Sequence, residues 1–195
     1  MLLFFHFNVL HRYERFGTKF QTSMSIFGSG IKPQGPSIGN SKTIENRKNL
    51  RPQDVVAIVD SREQTPLDLS PLSHIVKGLP TADYSVVGAE NLIAFERKSL
   101  NDLIGCIGHG RSRFERMLDR LREYPYRAIV VEADWSSIDL KSYRGTLHPN
   151  AVYGTLMGWA MSCNVPIMFM GDRKRAGLAM ARLIWVAANR IHRQK

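Results

Sequence analysis

The stretch that decides the fold is residues 83–102, which read DYSVVGAENLIAFERKSLND. The first part, Asp83–Val87, favours a strand, and Gly88–Asn91 has turn chemistry. The third part, Leu92–Lys98, favours a returning strand. Residues 83–98 therefore predict a β-hairpin.

Strand alternation places the polar residues of the second strand on defined faces. Glu96 and Lys98 should share one face, whereas Arg97 takes the other. The apolar residues of the strand divide in the same way, Leu92 and Ala94 on the first face and Ile93 and Phe95 on the second. The hairpin can bring the Asp83 carboxylate near Glu96, giving two hard oxygen ligands suited to Mg²⁺. Lys98 beside them could orient a metal-activated water or stabilise charge that develops at a phosphodiester.

The spacing of these residues resembles a known family signature. In the XPF-type structure-specific endonucleases, a branch of the PD-(D/E)xK superfamily, the signature is Gly-Asp, a variable gap, Glu-Arg-Lys, three residues and Asp. Here the pattern falls on Asp83, Glu96, Arg97, Lys98 and Asp102. One position departs from it, because Ala82 stands where the family has Gly, and a positive φ there would strain the backbone.

The resemblance extends over roughly residues 54 to 191 and includes similarity to the archaeal member that cleaves forked DNA. The further similar segments are 59–63, 99–104, 110–111, 128–132, 148–151 and 165–167. It implies a restriction-endonuclease-like α/β fold, and the strands separated by helices also predict a mixed sheet with helices on both faces. It further implies a Mg²⁺-dependent DNA endonuclease, in which Mn²⁺ can substitute, acting on branched DNA such as 3′ flaps, forks or junctions.

The candidate catalytic residues that follow are Asp60, Asp83, Glu96, Lys98 and Asp102, with Asp83, Glu96 and Asp60 as metal ligands. Several of these have plainer explanations. Asp102 has capping-box spacing from Ser99 for a helix running from Leu100 to Ile107. Asp60 follows the apolar run 55–59 and would also suit an ordinary strand-end turn.

The positive charge of the chain favours a polyanionic partner. Lys and Arg number 27 against 17 Asp and Glu, a net charge of +10, although charge alone does not prove nucleic-acid binding. The candidate DNA contacts are Arg62, Arg97, His109, Arg111 and Arg113. Two of them have alternatives, since Arg62 could pair with Glu63 and Arg97 could form a structural ion pair.

The first fifty residues differ in composition from the rest. Residues 1–52 are predicted to be a flexible leader, with Met24 as an alternative start, and 53–195 to be the nuclease domain. The apolar residues 1–7 fit neither a signal peptide nor a membrane span, so no membrane association is expected. With two cysteines and no disulfide framework, we expect an intracellular protein, in the cytoplasm or nucleoid if prokaryotic or phage-encoded.

The remaining elements are predicted from apolar periodicity and capping residues. They are a strand at 55–59, a helix from Ser112 (capped with Glu115) to Tyr124, strands at 126–132 and 165–170, a helix from Pro149 to about Met161, and a last helix capped by Asp172. The last helix has two adjoining apolar stripes, Leu178, Ala181, Trp185 and Ala188, and Met180, Ile184, Ala187 and Ile191. These fit either a homodimer through this helix, or a partner subunit, or a deeply buried helix in a monomer.

Two other functions remain open. A Holliday-junction resolvase or a nonspecific DNA nuclease would use the same fold, and a catalytically idle DNA-binding partner subunit would keep only the binding surface. The intact set of Asp83, Glu96 and Lys98 favours an active enzyme. The pathway, among DNA repair, DNA recombination and phage DNA processing, is left undetermined.

Overall fold

A computed structural model describes residues 48–194 of the chain. The expected leader lies almost wholly outside these residues, as does Met24. Its last residues are packed, because the Leu50 N–H donates to Asn189 Oδ1 at 2.7 Å and the Leu50 carbonyl accepts from Trp185 Nε1 at 3.0 Å. Packing against the domain therefore begins before the predicted boundary at residue 53.

One mixed sheet of six strands forms the centre of the described region. In chain order the strands are β1 Val56–Val59, β2 Ser73–Val76, β3 Tyr84–Val86, β4 Ile93–Ser99, β5 Tyr126–Glu132 and β6 Ile167–Phe169. Their spatial order is β2-β1-β3-β4-β5-β6. The pairs β1–β3 and β3–β4 are antiparallel, whereas β1–β2, β4–β5 and β5–β6 are parallel.

Helices cover both faces of this sheet. They are α1 Leu100–Ile107, α2 Arg111–Leu121, α3 Ser136–Asp139, α4 Pro149–Cys163 and α5 Arg173–His192, preceded by a 3-10 turn at Pro52–Asp54. Strand β5 shows the division, since Ala128 and Val130 are buried in the apolar cluster with α5, while Ile129 and Val131 join the cluster with α1, α2 and α4. The α/β fold with a mixed sheet and helices on both faces is thereby confirmed.

Most predicted helix starts agree with the structure. Ser99 Oγ accepts the Asp102 N–H at 3.2 Å to cap α1, and Asp172 accepts the Arg175 N–H at 2.7 Å to cap α5. The expected cap at Ser112 is wrong. The N-cap of α2 is Gly110, two residues earlier, because the Gly110 N–H closes a tight turn onto the Gly105 carbonyl. It also ends at Leu121 rather than Tyr124.

Strand β2 was not predicted. All four of its residues are exposed at the edge of the sheet, so its sequence carries no alternation of apolar and polar side chains. Leu92 precedes β4 and packs with the Ile93 and Phe95 cluster, not on the face of Ala94 as expected. Ala82 does adopt a positive φ, 63°, at the position where the family signature has Gly.

The C-terminal helix α5 packs into the hydrophobic core of its own chain. Met180, Ile184 and Ala187 of one stripe are buried, and so are Ala181 and Ala188 of the other. Leu178 remains 51% exposed. Dimerisation through this helix stays a prediction. Among residues 48–194, no helix is both long and apolar enough to span a membrane.

Candidate active site

The hairpin of β3 and β4 places Asp83 beside Glu96. The Asp83 N–H donates to the Phe95 carbonyl at 3.1 Å, and Asp83 Oδ2 accepts the Arg97 N–H at 2.8 Å. These two bonds join Asp83 to the residues immediately before and after Glu96. The predicted pair of carboxylates is therefore brought together by backbone pairing.

The electrostatics of Asp83 reflect this proximity. Burial, and then the negative charge of Glu96, raise the pKa of Asp83 to about 7. Glu96 is itself buried, with 7% exposure. Two carboxylates held together away from water repel each other, and a divalent cation with a preference for oxygen ligands would relieve that repulsion. The donor set thus fits the Mg²⁺ that the sequence suggests.

Lys98 completes the group on the same face of β4. Its Nζ lies 2.5 Å from Glu96 Oε1. Burial acts most strongly and opposes the ammonium form, but Glu96 and Asp83 together outweigh it and raise the pKa of Lys98. The lysine is therefore charged at neutral pH and fixed next to the carboxylate pair.

Asp60 follows β1 and is almost completely buried, with 2% exposure. Its two oxygens accept bonds from Arg62 and from the Leu79 N–H, and its pKa is lowered, chiefly by the Arg62 side chain. Within residues 48–194, no three His, Cys, Asp or Glu side chains are grouped so as to hold a metal ion. In this structure the oxygens of Asp60 are engaged by Arg62 and Leu79, and its role as a third metal ligand stays a prediction.

Asp102 and Glu63 take structural positions. Asp102 is exposed, its N–H donates to Ser99 Oγ to cap α1, and its Oδ2 accepts from Ser99 Oγ at 2.7 Å. Glu63 pairs with Arg97 at 3.7 Å rather than with Arg62, and accepts the Thr65 N–H at 2.8 Å. Neither side chain hydrogen-bonds to the Asp83, Glu96 and Lys98 group in the part of the chain that the structure describes.

Arg97 lies on the opposite face of β4, where it forms an ion-pair network. Its Nε and Nη2 bind the two oxygens of Glu132 at 2.8 and 3.0 Å, and its side chain is 14% exposed. Arg173 Nη1 binds the same Glu132 at 3.1 Å. The structural ion pair is thus present, with little guanidinium surface left for DNA. Sequence reasoning missed Glu132 and Arg173, because 35 and 41 residues separate them from their partners.

The remaining predicted DNA contacts lie around the turn between α1 and α2. His109, Arg111 and Arg113 are all exposed. Arg111 bonds Glu115 at 2.9 Å, and its guanidinium carbon lies 5.9 Å from the centre of the Trp159 ring. This turn offers cationic side chains that a polyanion could reach.

Fold and site together define an α/β protein of the restriction-endonuclease-like class. The model of the ERCC4 domain matches residues 59–183, and the chain belongs to this family. A search among curated proteins found no match.

Solved structures agree with the fold. The chain is similar to XPF from Aeropyrum pernix, with 25% identity, a TM-score of 0.56 and coverage of 68% of this chain and 61% of that one. It is also similar to XPF from Aeropyrum pernix in complex with DNA, with 24% identity, a TM-score of 0.55 and coverage of 70% and 66%. This chain therefore spans less than two thirds of either relative.

Proposed function

We propose that this chain is a metal-dependent endonuclease that hydrolyses phosphodiester bonds in DNA. The observation that carries the proposal is the pairing of half-buried Asp83 with buried Glu96, with Lys98 bonded to Glu96, on the central hairpin of an ERCC4 domain. A buried pair of like charges is costly for stability, so its presence at a strand end favours a functional role over a structural one.

Asp83 and Glu96 are the residues that would hold the metal, Mg²⁺ with Mn²⁺ as a substitute. When bound, such an ion lowers the pKa of water and offsets charge that develops on a phosphoryl group. Asp83 has one oxygen bonded to the Arg97 N–H, which fixes the orientation of the carboxylate before any ligand arrives. Preorganisation of this kind avoids the cost of reorganising the site during reaction.

Lys98 would act beside the carboxylates rather than as a ligand. Its ammonium, held by Glu96, can donate to a nucleophilic water or to a phosphate oxygen. The raised pKa of Lys98 keeps it protonated, so it serves as a donor and source of positive charge and not as a general base.

The substrate we propose is branched DNA, such as 3′ flaps, forks or junctions. Support comes from the XPF-type signature, from the likeness to an XPF structure solved in complex with DNA, and from the exposed side chains of His109, Arg111 and Arg113. A second copy of the chain or another subunit would contribute to recognition of the branch.

The test is cleavage of labelled 3′-flap, fork, four-way-junction and linear duplex DNA by the full chain, with Mg²⁺ and with EDTA. We expect metal-dependent cutting of branched substrates that Asp83→Ala and Lys98→Ala both abolish. Equal cutting of linear DNA would support the endonuclease activity but refute specificity for branched DNA. Preference for the four-way junction would favour a resolvase. Binding without cutting, in Mg²⁺ and in Mn²⁺, would refute the enzyme and favour the idle DNA-binding subunit.

A further inference from the structure

The loop that joins α3 to α4, residues 140–148, is held in place by its own side chains. Tyr143 and Leu147 pack against the apolar cluster with α1, α2 and α4, and Tyr143 Oη donates to the Leu147 carbonyl at 3.0 Å. His148 then caps α4, because its Nδ1 accepts the Asn150 N–H at 3.3 Å. The loop is therefore a fixed part of the fold, and its other side chains lie on the surface.

This loop lies along α1, next to the proposed catalytic residues. The Arg144 N–H donates to Asn101 Oδ1 at 2.8 Å, and Asn101 lies in the first turn of α1, three residues after Lys98. At the other end of α1, Leu147 Cδ1 would lie 4.0 Å from a Cβ atom added at Gly108. The loop thus follows the helix for its whole length, which is about 12 Å for eight residues.

Two cations of this loop are open to a ligand. Lys141 and Arg144 are exposed, and within residues 48–194 neither side chain forms a hydrogen bond or an ion pair. The turn after α1 adds the exposed Arg111 and Arg113 beyond the far end of the same helix. Cationic side chains therefore lie at both ends of α1. Each DNA strand has a phosphate about every 3.4 Å along the axis, so about 12 Å spans roughly three phosphates.

Lys141 stands at a backbone position that favours glycine. It follows Leu140, the C-cap of α3, its φ is 48°, and its N–H donates to the Ile138 carbonyl at 3.0 Å. The left-handed residue at the end of a helix is usually Gly, because a Cβ atom is strained there. A lysine in this place costs stability, and strain of this kind is typical of functional positions.

From these contacts we propose that residues 140–148 form a DNA-binding surface, in which Lys141 and Arg144 bind phosphates of the DNA backbone beside the proposed active site. The proposal rests on the proposed function. Because Asn101 and the core already hold the loop, little backbone entropy is lost when DNA binds. Phosphate contacts fix the register of DNA on a protein without reading its sequence, so this surface positions the substrate for cleavage.

The test is binding of the full chain to labelled duplex and 3′-flap DNA in EDTA, measured by fluorescence anisotropy at several KCl concentrations. We expect Arg144→Ala and Lys141→Gly each to weaken binding at least about threefold at ~0.1 M salt. Each should also lower the slope of log Kd against log salt by about one, because one phosphate contact is lost. Arg144→Lys keeps the charge and should keep the wild-type slope.

The variant Lys141→Gly separates DNA binding from folding. Because glycine relieves the positive φ, the urea midpoint of unfolding should stay at or above that of the wild type while DNA binding weakens. Weaker binding together with a lower midpoint would attribute the effect to folding and refute the role of Lys141.

The matched control is Arg51→Ala. Arg51 is also an exposed arginine, but it precedes β1, which runs in the same direction as β4 because both pair antiparallel with β3. It therefore lies at the opposite end of the strands from α1, and its loss should leave Kd within about twofold of wild type and the salt slope unchanged.

The outcomes separate this proposal from the proposed function. Arg144→Ala and Lys141→Gly proteins that bind DNA as Arg51→Ala does would overturn the proposal, even if the wild type cleaves DNA. A wild type that binds DNA without cutting it would refute the endonuclease, while the same binding series still decides whether the loop contacts DNA. A wild type that binds no DNA would overturn both.

Discussion

Asp83 experiences two influences that disfavour its charged form, burial and the neighbouring Glu96. Its pKa in the metal-free fold is about 7, against ~3.9 in an unfolded chain. The folded state therefore binds a proton more tightly than the unfolded state. The contribution of Asp83 to stability is fully present below about pH 4 and is lost as the pH rises to about 7.

Replacing Asp83 should remove this pH dependence. In EDTA, we expect the free energy of unfolding of the wild type, relative to Asp83→Asn, to fall by at least ~1 kcal/mol between pH 4 and pH 8. Urea denaturation of both proteins at several pH values measures it. Asp119→Asn, at an exposed carboxylate on α2, is the control and should show no such trend. A wild-type minus Asp83→Asn difference that does not vary with pH would contradict the electrostatic account.

Residue spacing predicted part of this site and missed the rest for a physical reason. Asp83, Glu96 and Lys98 lie on one hairpin, so local strand pairing brings them together. Asp60 is adjacent to Asp83 as well, but its role depends on Leu79, whose N–H lies 19 residues along the chain. Sequence distance hides such partners, and the metal role expected for Asp60 stays a prediction.

At the scale of elements, Arg97 and Glu132 tie β4 to β5 and, through Arg173, to the start of α5. Both side chains are largely buried, with exposures of 14% and 11%. Breaking one partner of a buried ion pair typically costs ~3–5 kcal/mol, and partial exposure lessens this. The network is therefore expected to stabilise the packing of β4, β5 and the start of α5 against one another.

We expect Glu132→Gln to lower the free energy of unfolding by about 2–3 kcal/mol. The control is Lys77→Gln, which breaks the exposed Lys77–Glu90 pair and should cost less than ~1 kcal/mol. Urea denaturation of the three proteins compares these losses. Equal and small losses in both variants would show that the network adds little to stability.

The order of elements was largely predictable, and the exceptions share a cause. Strands with apolar runs, such as β1 and β5, and helices with caps, such as α1 and α5, follow from local pattern. Strand β2 forms by pairing with β1 in parallel, and the sequence Ser73–Val76 alone does not predict this pairing. The start of α2 likewise depends on a turn onto Gly105 rather than on the capping residue.

At the scale of the whole molecule, the proposed catalytic residues lie on one face of the sheet, and the C-terminal helix α5 packs on the other. One face packs against α5, and the other packs against α1, α2 and α4. Glu96 and Lys98 share the second face with Ala94, and the exposed arginines at the α1–α2 turn follow β4 and α1 in the chain. The net charge of +10 for the full chain is consistent with a DNA partner.

The central claim is that Asp83 belongs to a metal-dependent site that cuts DNA. The most direct test is the single-turnover rate of 3′-flap cleavage in Mg²⁺ for the wild type, Asp83→Asn and Arg51→Ala. The account predicts that Asp83→Asn lowers the cleavage rate roughly 100-fold or more and that EDTA abolishes cleavage by the wild type. Arg51→Ala should cleave at the wild-type rate. Cleavage by Asp83→Asn at the wild-type rate, or cleavage that persists in EDTA, would contradict it.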